Sequence, residues 1–224
     1  MITSTKAAAR GGAARPYPKV DHLRYAGAPF ERQREMLETI LRGNSVLMDV
    51  LRGLRDMALP DWLVTSGAIY NLAWNRLTGR PPLAGINDID IAYFDGSDLG
   101  YDAEDRIIRK VERRFAHLPL RVEPRNQARV HLWFPERFNL PYPPLASSAE
   151  SLERYATVAH AVAVHLRASD SLAVVAPFGL DDIFSFRLAP NTTLANRETH
   201  YRKAARAKAI WPELTIVPWP DRAS

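Results

Sequence analysis

The 224-residue chain contains no cysteine, which excludes disulfide bonds, thiolate catalysis and zinc–thiolate sites. Its formal charge is +5. Four of the 30 basic side chains and none of the 25 acidic side chains lie in residues 1–20, so the other residues carry 26 basic and 25 acidic groups. The rest of the chain is almost neutral, which weakens the case for a broad basic surface that binds nucleic acid.

The first 22 residues are predicted to form a disordered basic tail, and residues 23–224 are predicted to form one domain. An organelle transit peptide is the alternative interpretation of the tail, but the tail lacks an apolar core of signal-peptide length. No later segment reaches the ~18 consecutive apolar residues of a membrane span. We therefore expect a soluble, cytoplasmic protein with no membrane partner.

Two amphipathic helices are predicted at the start of the domain, because apolar residues recur there at helical spacing. They are Phe30, Leu37, Ile40 and Leu41 in the first helix and Val46, Leu47, Val50, Leu51 and Leu54 in the second. Asn44 or Ser45 is expected to cap the second helix, since both side chains accept hydrogen bonds from backbone amides.

A strand, a turn and a third helix come next. Trp62 to Thr65 is typical of a short buried strand, and the helix that follows begins at Ser66-Gly67 and is closed by Gly79. Two prolines make RPPLAGIN a loop. This loop leads into a strand, INDIDIAYFD, at residues 86–95.

The second half of the chain mixes helices and strands. Asp102 and Asp105 are expected to cap a helix through AEDRIIRKVERRFAHL, and PLRVEP and ARVHLWF then form two strands or one strand broken at Pro124. A short helix near residues 149–155 precedes a β-hairpin in which AVAVHL and LAVVAP flank a loop of about five residues. FGLDDIFSFRLAP and ETHYRKAARAKAIW are predicted to form the final helices.

The strand at residues 86–95 carries the main chemical signal. Side chains alternate along a strand, so Asp88 and Asp90 share one face while Ile89 and Ile91 share the other. Two ionised carboxylates about 7 Å apart repel each other, and a divalent cation removes that cost. Oxygen ligands suit Mg²⁺ or Mn²⁺, and two such ions clamp the oxygens of a phosphoryl group during displacement. The alternative is a strand cap at Asp88 and a solvated edge at Asp90.

A two-metal site usually takes a third carboxylate from an adjacent strand, and Glu123 is placed to supply it after one intervening helix. In the alternative interpretation Glu123 is an exposed strand residue paired with Arg121 or Arg125. Asp95 faces away from the aspartate pair and is predicted to be a turn residue.

The turn after the first strand is a candidate phosphate site. Gly67 lets backbone amides approach a phosphate, with Ser66 beside it, and the helix N-terminus adds partial positive charge. Asn71 and Asn75 lie one turn apart on that helix, so both are candidates to contact a triphosphate, a ribose or a metal-bound water. Capping or a solvated helix face is the alternative for the two asparagines.

Basic residues in the second half of the chain are also candidates to bind phosphate groups. Arg129 is a candidate to contact a phosphate, or it forms a salt bridge on a strand face. The segment RETHYRKAARAK carries five basic residues and one acidic residue, so it either forms a solvated helix or binds a polyanionic acceptor such as RNA.

The order of these elements resembles the nucleotidyltransferase superfamily that includes DNA polymerase beta. More closely, GAIYNLAWNRLTG, NDIDIAYFD, NQARVHLWF and APFGLDDIF resemble a bacterial family of uncharacterised nucleotidyltransferase-like proteins, over roughly residues 30–220. The chain departs from the superfamily pattern at the turn, which reads Ser66-Gly67 where the usual order is Gly-Ser or Gly-Gly.

The resemblance implies an α/β (α+β) fold in which helices flank a mixed sheet, followed by a C-terminal β-hairpin and helices. It implies metal ligands at Asp88 and Asp90, a third ligand or base at Glu123, and a phosphate-binding turn at Ser66-Gly67. The implied reaction is metal-dependent transfer of a nucleoside monophosphate from a nucleoside triphosphate to an acceptor, which is a protein, an RNA or a small molecule.

Two other functions use the same residues. A glycosyltransferase uses a D-x-D pair to anchor a nucleotide-sugar through manganese, and a non-catalytic module binds nucleotide or RNA without turnover. Clustered carboxylates disfavour the binding module, because a protein that only binds polyanions gains nothing from them.

Overall fold

The computed structural model describes residues 21–220. Its α-helices are α1 (Phe30–Arg42), α2 (Ser45–Met57), α3 (Gly67–Thr78), α4 (Tyr101–Phe115), α5 (Val130–Phe138), α6 (Asp181–Phe184) and α7 (Arg197–Ile210). Its strands are β1 (Leu63–Thr65), β2 (Asp88–Tyr93), β3 (Arg121–Asn126), β4 (Ala163–Leu166), β5 (Leu172–Val175), β6 (Arg187–Leu188) and β7 (Thr215–Ile216). Residues 1–20 of the predicted tail lie outside the described residues.

The main sheet has the strand order β3-β2-β1-β4-β5. The pair β2 and β3 is parallel, because α4 crosses over between them, and the other neighbours in this sheet are antiparallel. The predicted hairpin is confirmed as β4 and β5, joined by residues 167–171. The predicted fold class is also confirmed, with a mixed sheet flanked by helices.

Local sequence signals position the helices that precede the sheet. Leu37, Ile40 and Leu41 form the buried face of α1. The side chain of Asn44 accepts a hydrogen bond from the Leu47 amide at 2.9 Å, which confirms the predicted cap of α2. Gly79 closes α3 in the left-handed conformation, with φ 69°.

The two faces of β2 differ as predicted. Ile89 and Ile91 are almost fully buried in the main hydrophobic core, with the helices α1, α2 and α3. Asp90 lies on the opposite face and remains exposed, and Asp88 is partly buried. The strand therefore anchors in the core through its isoleucines and leaves both carboxylates available for chemistry.

The segment ARVHLWF was predicted to be a strand, and this prediction was wrong. Residues 127–129 form a 3₁₀ turn and α5 follows directly, with the Asn126 side chain accepting a hydrogen bond from the Ala128 amide at 3.1 Å. A short apolar run fits a strand or a helix equally well, so the Asn126 cap decides the outcome. Pro124 lies within β3, which tolerates it because β3 is an edge strand.

The predicted capping of α4 by Asp102 and Asp105 was also wrong. Gly100 is the N-cap, and Asp102 lies within the first turn, where its charge favours the helix dipole. None of the helices in the described part of the chain has the length and apolar character needed to cross a lipid bilayer.

Candidate active site

Strand pairing brings the Ser66-Gly67 turn to the aspartates. Because β1 and β2 are antiparallel, with Val64 level with Ile91, the end of β1 lies beside the start of β2. The hydroxyl of Thr65 donates a hydrogen bond to the backbone oxygen of Asp90 at 3.5 Å. Two features that lie more than twenty residues apart in the sequence thus meet at one end of the sheet.

These residues line one cavity of about 250 Å³, which we call the aspartate cavity. It is lined by Ser66, Gly67, Tyr70, Asn71, Gly85, Ile86, Asn87, Asp88, Asp90, His160, Lys203, Arg206, Ala207, Ile210 and Trp211. The cavity therefore combines the predicted carboxylates and the predicted turn with two cations from α7.

Ser66 holds a strained backbone conformation at the edge of this cavity. Its φ of 56° and ψ of −115° are rarely adopted by residues with a side chain, and such strain concentrates at functional sites. The Ser66 amide donates a hydrogen bond to the Val162 backbone oxygen at 2.8 Å, which helps to fix the turn.

Gly67 is the first residue of α3 and leaves space at the cavity wall. A methyl group added there would lie 3.7 Å from the Asn71 side-chain nitrogen and 3.9 Å from the Tyr70 hydroxyl, which is ordinary contact. The fold therefore does not require glycine at this position, whereas a ligand that approaches the helix N-terminus benefits from it.

The surroundings of Asp90 disfavour the charged form of its carboxyl group. Although the Asp90 side chain is open to solvent, the surrounding cavity walls partly desolvate its carboxyl group, and this desolvation, followed by repulsion from Asp88, raises the pKa of Asp90 to about 6. The nearby charge of Lys203 opposes this rise, and Glu123 adds to it. A cation bound between the two aspartates would relieve this repulsion.

Lys203 and Arg206 are residues to which the sequence analysis assigned no individual role. Both are among the residues that line the aspartate cavity, and burial lowers the pKa of Lys203 although Asp90 opposes this effect. Neither forms an ion pair within 4.0 Å with an acidic group of the described residues. In the sequence, both residues belong to the basic segment RETHYRKAARAK. The segment did not indicate which face of its helix would line the aspartate cavity.

His160 and Tyr70 form a stacked pair at the cavity, with ring centroids 4.5 Å apart. Burial, then the charges of Lys203 and His200, keep the pKa of His160 well below its usual value. Burial also raises the pKa of Tyr70 to about 12, so its phenol remains protonated near neutral pH.

The two predicted asparagines of α3 differ in their surroundings. Asn71 lines the cavity; its amide nitrogen donates to the Gly85 oxygen at 3.2 Å, and its side-chain oxygen is buried without a partner among the described residues. Asn75 is fully buried and binds the Pro82 and Ala84 backbone oxygens at 2.9 and 2.8 Å. Asn75 thus holds the loop that leads to β2, outside the cavity.

Glu123 lies level with Asp90 across the parallel pair of β2 and β3. Its carboxylate forms an ion pair with Arg121 at 3.0 Å, which is the alternative considered from the sequence. Glu123 lines a neighbouring cavity between α4 and β3 and is not among the residues that line the aspartate cavity.

Arg129 lies apart from the aspartates. Its guanidinium pairs with the buried carboxylate of Glu104, and its Nε donates to the Leu99 backbone oxygen at 2.8 Å. These contacts occupy the buried side chain of Arg129, which is not among the residues that line the aspartate cavity, and its phosphate contact stays a prediction.

The donor set fits a hard divalent cation. Among residues 21–220, no three histidine, aspartate or glutamate side chains are grouped closely enough to hold a metal ion. Mg²⁺ commonly binds one or two protein carboxylates and completes its coordination with water and substrate phosphates. Asp88 and Asp90 meet that requirement, and the unpartnered Asn71 oxygen offers a further polar group in the same cavity.

Comparison with known proteins gives two matches. Residues 52–216 match the model of a family described as nucleotidyltransferase. An NMR structure described as revealing a CCA-adding enzyme head domain is similar with a TM-score of 0.67 and 22% identity, over 83% of this chain and 96% of that chain. At this identity the likeness concerns the fold. No curated protein shows significant sequence similarity to the chain.

Proposed function

Since the chain belongs to the nucleotidyltransferase family and has a DNA polymerase beta-like fold, we propose that it transfers a nucleoside monophosphate from a nucleoside triphosphate to an acceptor. The observation that carries this function is the aspartate cavity, where Asp88 and Asp90 face the N-terminus of α3 and two cations of α7. The acceptor is an RNA, a protein or a small molecule.

The triphosphate binds between α3 and α7. The first-turn amides of α3, beginning at Gly67, and the hydroxyl of Ser66 donate hydrogen bonds to phosphate oxygens. Lys203 and Arg206 approach from the other side and neutralise further phosphate charge. The protonated phenol of Tyr70 is an additional donor at this wall.

Asp88 and Asp90 are the residues that would hold Mg²⁺ or Mn²⁺ when the substrate is bound, and such an ion would supply Lewis acidity and neutralise charge on the phosphate oxygens. The chain itself supplies position: β2 fixes both carboxylates on one face, and the Ser66-Gly67 turn lies beside them. Most of the rate then comes from orientation and charge stabilisation.

In the transfer step an acceptor oxygen forms a bond to the α-phosphorus, and the bond from that phosphorus to the bridging oxygen of the β-phosphate breaks. Pyrophosphate leaves with the electron pair, and the proton of the acceptor hydroxyl passes to a carboxylate and then to water. We assign this proton to Glu123, which lies level with Asp90 and whose carboxylate pairs with Arg121 in the absence of an acceptor.

The family match favours this reaction over the glycosyltransferase alternative. The paired carboxylates favour it over a non-catalytic module, because repulsion between Asp88 and Asp90 is a cost that a pure nucleotide binder has no reason to keep.

The first testable prediction concerns Asp90. The purified protein is incubated with each of the four α-³²P-labelled ribonucleoside triphosphates, Mg²⁺ or Mn²⁺, and cell extract, and label is followed into RNA, protein and small molecules. We expect labelling by the wild type and a loss of about 100-fold or more in Asp90→Asn, since the variant keeps the shape of the side chain and removes its charge.

Asp56→Asn is the matched control, because Asp56 is an exposed aspartate on α2, away from the cavity. This variant should label as the wild type does. Labelling by Asp90→Asn at the wild-type level would reject the assigned site, and tight nucleotide binding without transfer under every condition would favour the non-catalytic module.

A further inference from the structure

A second cavity, of about 390 Å³, lies between α5, α7 and the segment around residues 140–156. We call it the aromatic cavity. It is lined by Arg125, Gln127, Val130, Trp133, Phe134, Phe138, Leu140, Tyr142, Ser151, Arg154, Tyr155, Ala156, Asn196, Thr199, Arg202 and Lys203. Its volume lies within the roughly 300–1,000 Å³ that is typical of small-molecule sites.

Aromatic rings form one wall of this cavity. The Phe134 ring lies 4.6 Å from the Phe138 ring and 4.5 Å from the Tyr142 ring, measured between centroids, and the Trp133 ring lies 6.0 Å from that of Phe134. Phe138 is 43% exposed, so one aromatic ring of this wall is open to a planar ligand. Such a wall suits a nucleobase, because every base presents a flat face for stacking.

The charges of the aromatic cavity are all of one sign. Of the described residues that line it, Arg125, Arg154, Arg202 and Lys203 are basic and none is acidic. Two buried polar atoms have no partner among the described residues, the Arg154 Nε and the Asn196 side-chain oxygen. The cavity therefore offers an aromatic wall, cations for phosphate, and a donor and an acceptor for polar edges.

Three features connect the aromatic cavity to the carboxylates of Asp90 and Glu123. Lys203 lines both cavities. The hydroxyl of Tyr155 donates a hydrogen bond to the Thr65 hydroxyl at 3.0 Å, and the Thr65 hydroxyl in turn reaches the Asp90 backbone oxygen. Arg125 lies two residues after Glu123 on β3, on the same face. A ligand in the aromatic cavity is thus adjacent to the carboxylates that the transfer step uses.

We propose that the aromatic cavity is the acceptor subsite and that it takes a nucleotide unit, with the base against the aromatic wall and the phosphate against the arginines. This role rests on the proposed function. The reacting hydroxyl of that nucleotide then faces Asp90 and Glu123, while the donor triphosphate occupies the aspartate cavity on the other side of Lys203.

The test measures acceptor binding without the reaction. A fluorescein-labelled five-nucleotide single-stranded RNA is titrated with the full chain in the absence of nucleoside triphosphate and divalent metal, and anisotropy reports binding. Unlabelled AMP is added as a competitor. We expect binding that weakens with salt and a loss of about tenfold in Phe138→Ala and in Arg202→Glu.

Arg197→Glu is the matched control, because Arg197 is an exposed arginine of the same helix that does not line the aromatic cavity. Arg197→Glu should bind the labelled RNA as the wild type does. Competition by AMP at similar affinity indicates a free nucleotide acceptor, and much weaker competition indicates an RNA end; both outcomes support a nucleotide subsite.

Failure to bind either probe would overturn the acceptor subsite, as would binding that Phe138→Ala and Arg202→Glu leave unchanged. Because this assay needs no turnover, binding that persists while labelling by nucleoside triphosphate fails would reject the transfer reaction and leave the aromatic cavity as a nucleotide site.

Discussion

Ser66 combines backbone strain with a side chain that faces the proposed triphosphate. A backbone with φ 56° and ψ −115° is sterically strained for a residue that has a Cβ atom, and glycine avoids this strain. The serine hydroxyl, however, supplies a hydrogen-bond donor that glycine lacks. The usual superfamily turn places glycine first, so this chain exchanges the two positions and has its hydroxyl at the residue with the strained backbone.

The second prediction follows from this exchange. Ser66→Gly should raise the free energy of unfolding by about 1 kcal/mol, because the strained backbone is relieved, and should lower nucleotide labelling, because the hydroxyl is lost. Urea denaturation and the labelling assay measure the two effects. Ser66→Ala is the control, since it removes the hydroxyl and keeps the strain; equal stability of the two variants would show that the turn stores no strain.

At the scale of elements, Glu104 joins α4 to the segment that follows β3. One carboxylate oxygen accepts a hydrogen bond from the Asn126 amide at 2.9 Å, and the other pairs with Arg129. Both charged side chains are buried, at 6% and 9% exposure. This pair fixes the crossover helix against the end of β3 and so holds Glu123 level with Asp90.

The third prediction concerns this buried pair. Glu104→Gln leaves the guanidinium of Arg129 buried without a counter-charge, so the free energy of unfolding should fall by about 3 kcal/mol. Urea denaturation at pH 7 measures it, with Glu112→Gln, an exposed glutamate of the same helix, as the control. A decrease of less than about 1 kcal/mol would indicate that the buried guanidinium of Arg129 does not need the charge of Glu104. That result would support the phosphate contact that the sequence predicted for Arg129.

At the scale of the whole molecule, the buried neutral imidazole of His160 links stability to pH. It stacks on Tyr70 and lies near Lys203 and His200, whose charges add to burial in keeping its pKa well below 6.5. The unfolded chain binds a proton at this residue below pH 6.5 and the folded chain does not. The stability that the neutral His160 imidazole contributes is therefore fully present above pH 6.5 and is lost as the pH falls below 6.5.

The fourth prediction is that His160→Phe reduces this pH dependence. Between pH 7.5 and 5.5 the wild type should lose about 1.4 kcal/mol more than the variant, because one proton bound only by the unfolded chain accounts for that difference. Denaturant titrations of both proteins at the two pH values measure it. Equal losses in the two proteins would mean that His160 is protonated in the folded state.

The two leading helices, the Asn44 cap, the Gly79 helix end and the two-faced aspartate strand follow from local patterns, and the structure confirms them. Local patterns failed after β3 and at Asn75. The segment after β3 became a helix because of the Asn126 cap, and Asn75 was used to hold a loop. The role of α7 depends on which of its faces lines the aspartate cavity, and the spacing of residues within the helix does not indicate this.

Lys203 contacts both cavities, and this single ammonium group has a kinetic consequence. Two ligands that each carry phosphate compete for one positive charge, so the occupancy of either cavity weakens the hold on the other. Once pyrophosphate departs, the lysine is again available to the remaining ligand. A transfer reaction with this arrangement would therefore favour binding of the two ligands one after the other.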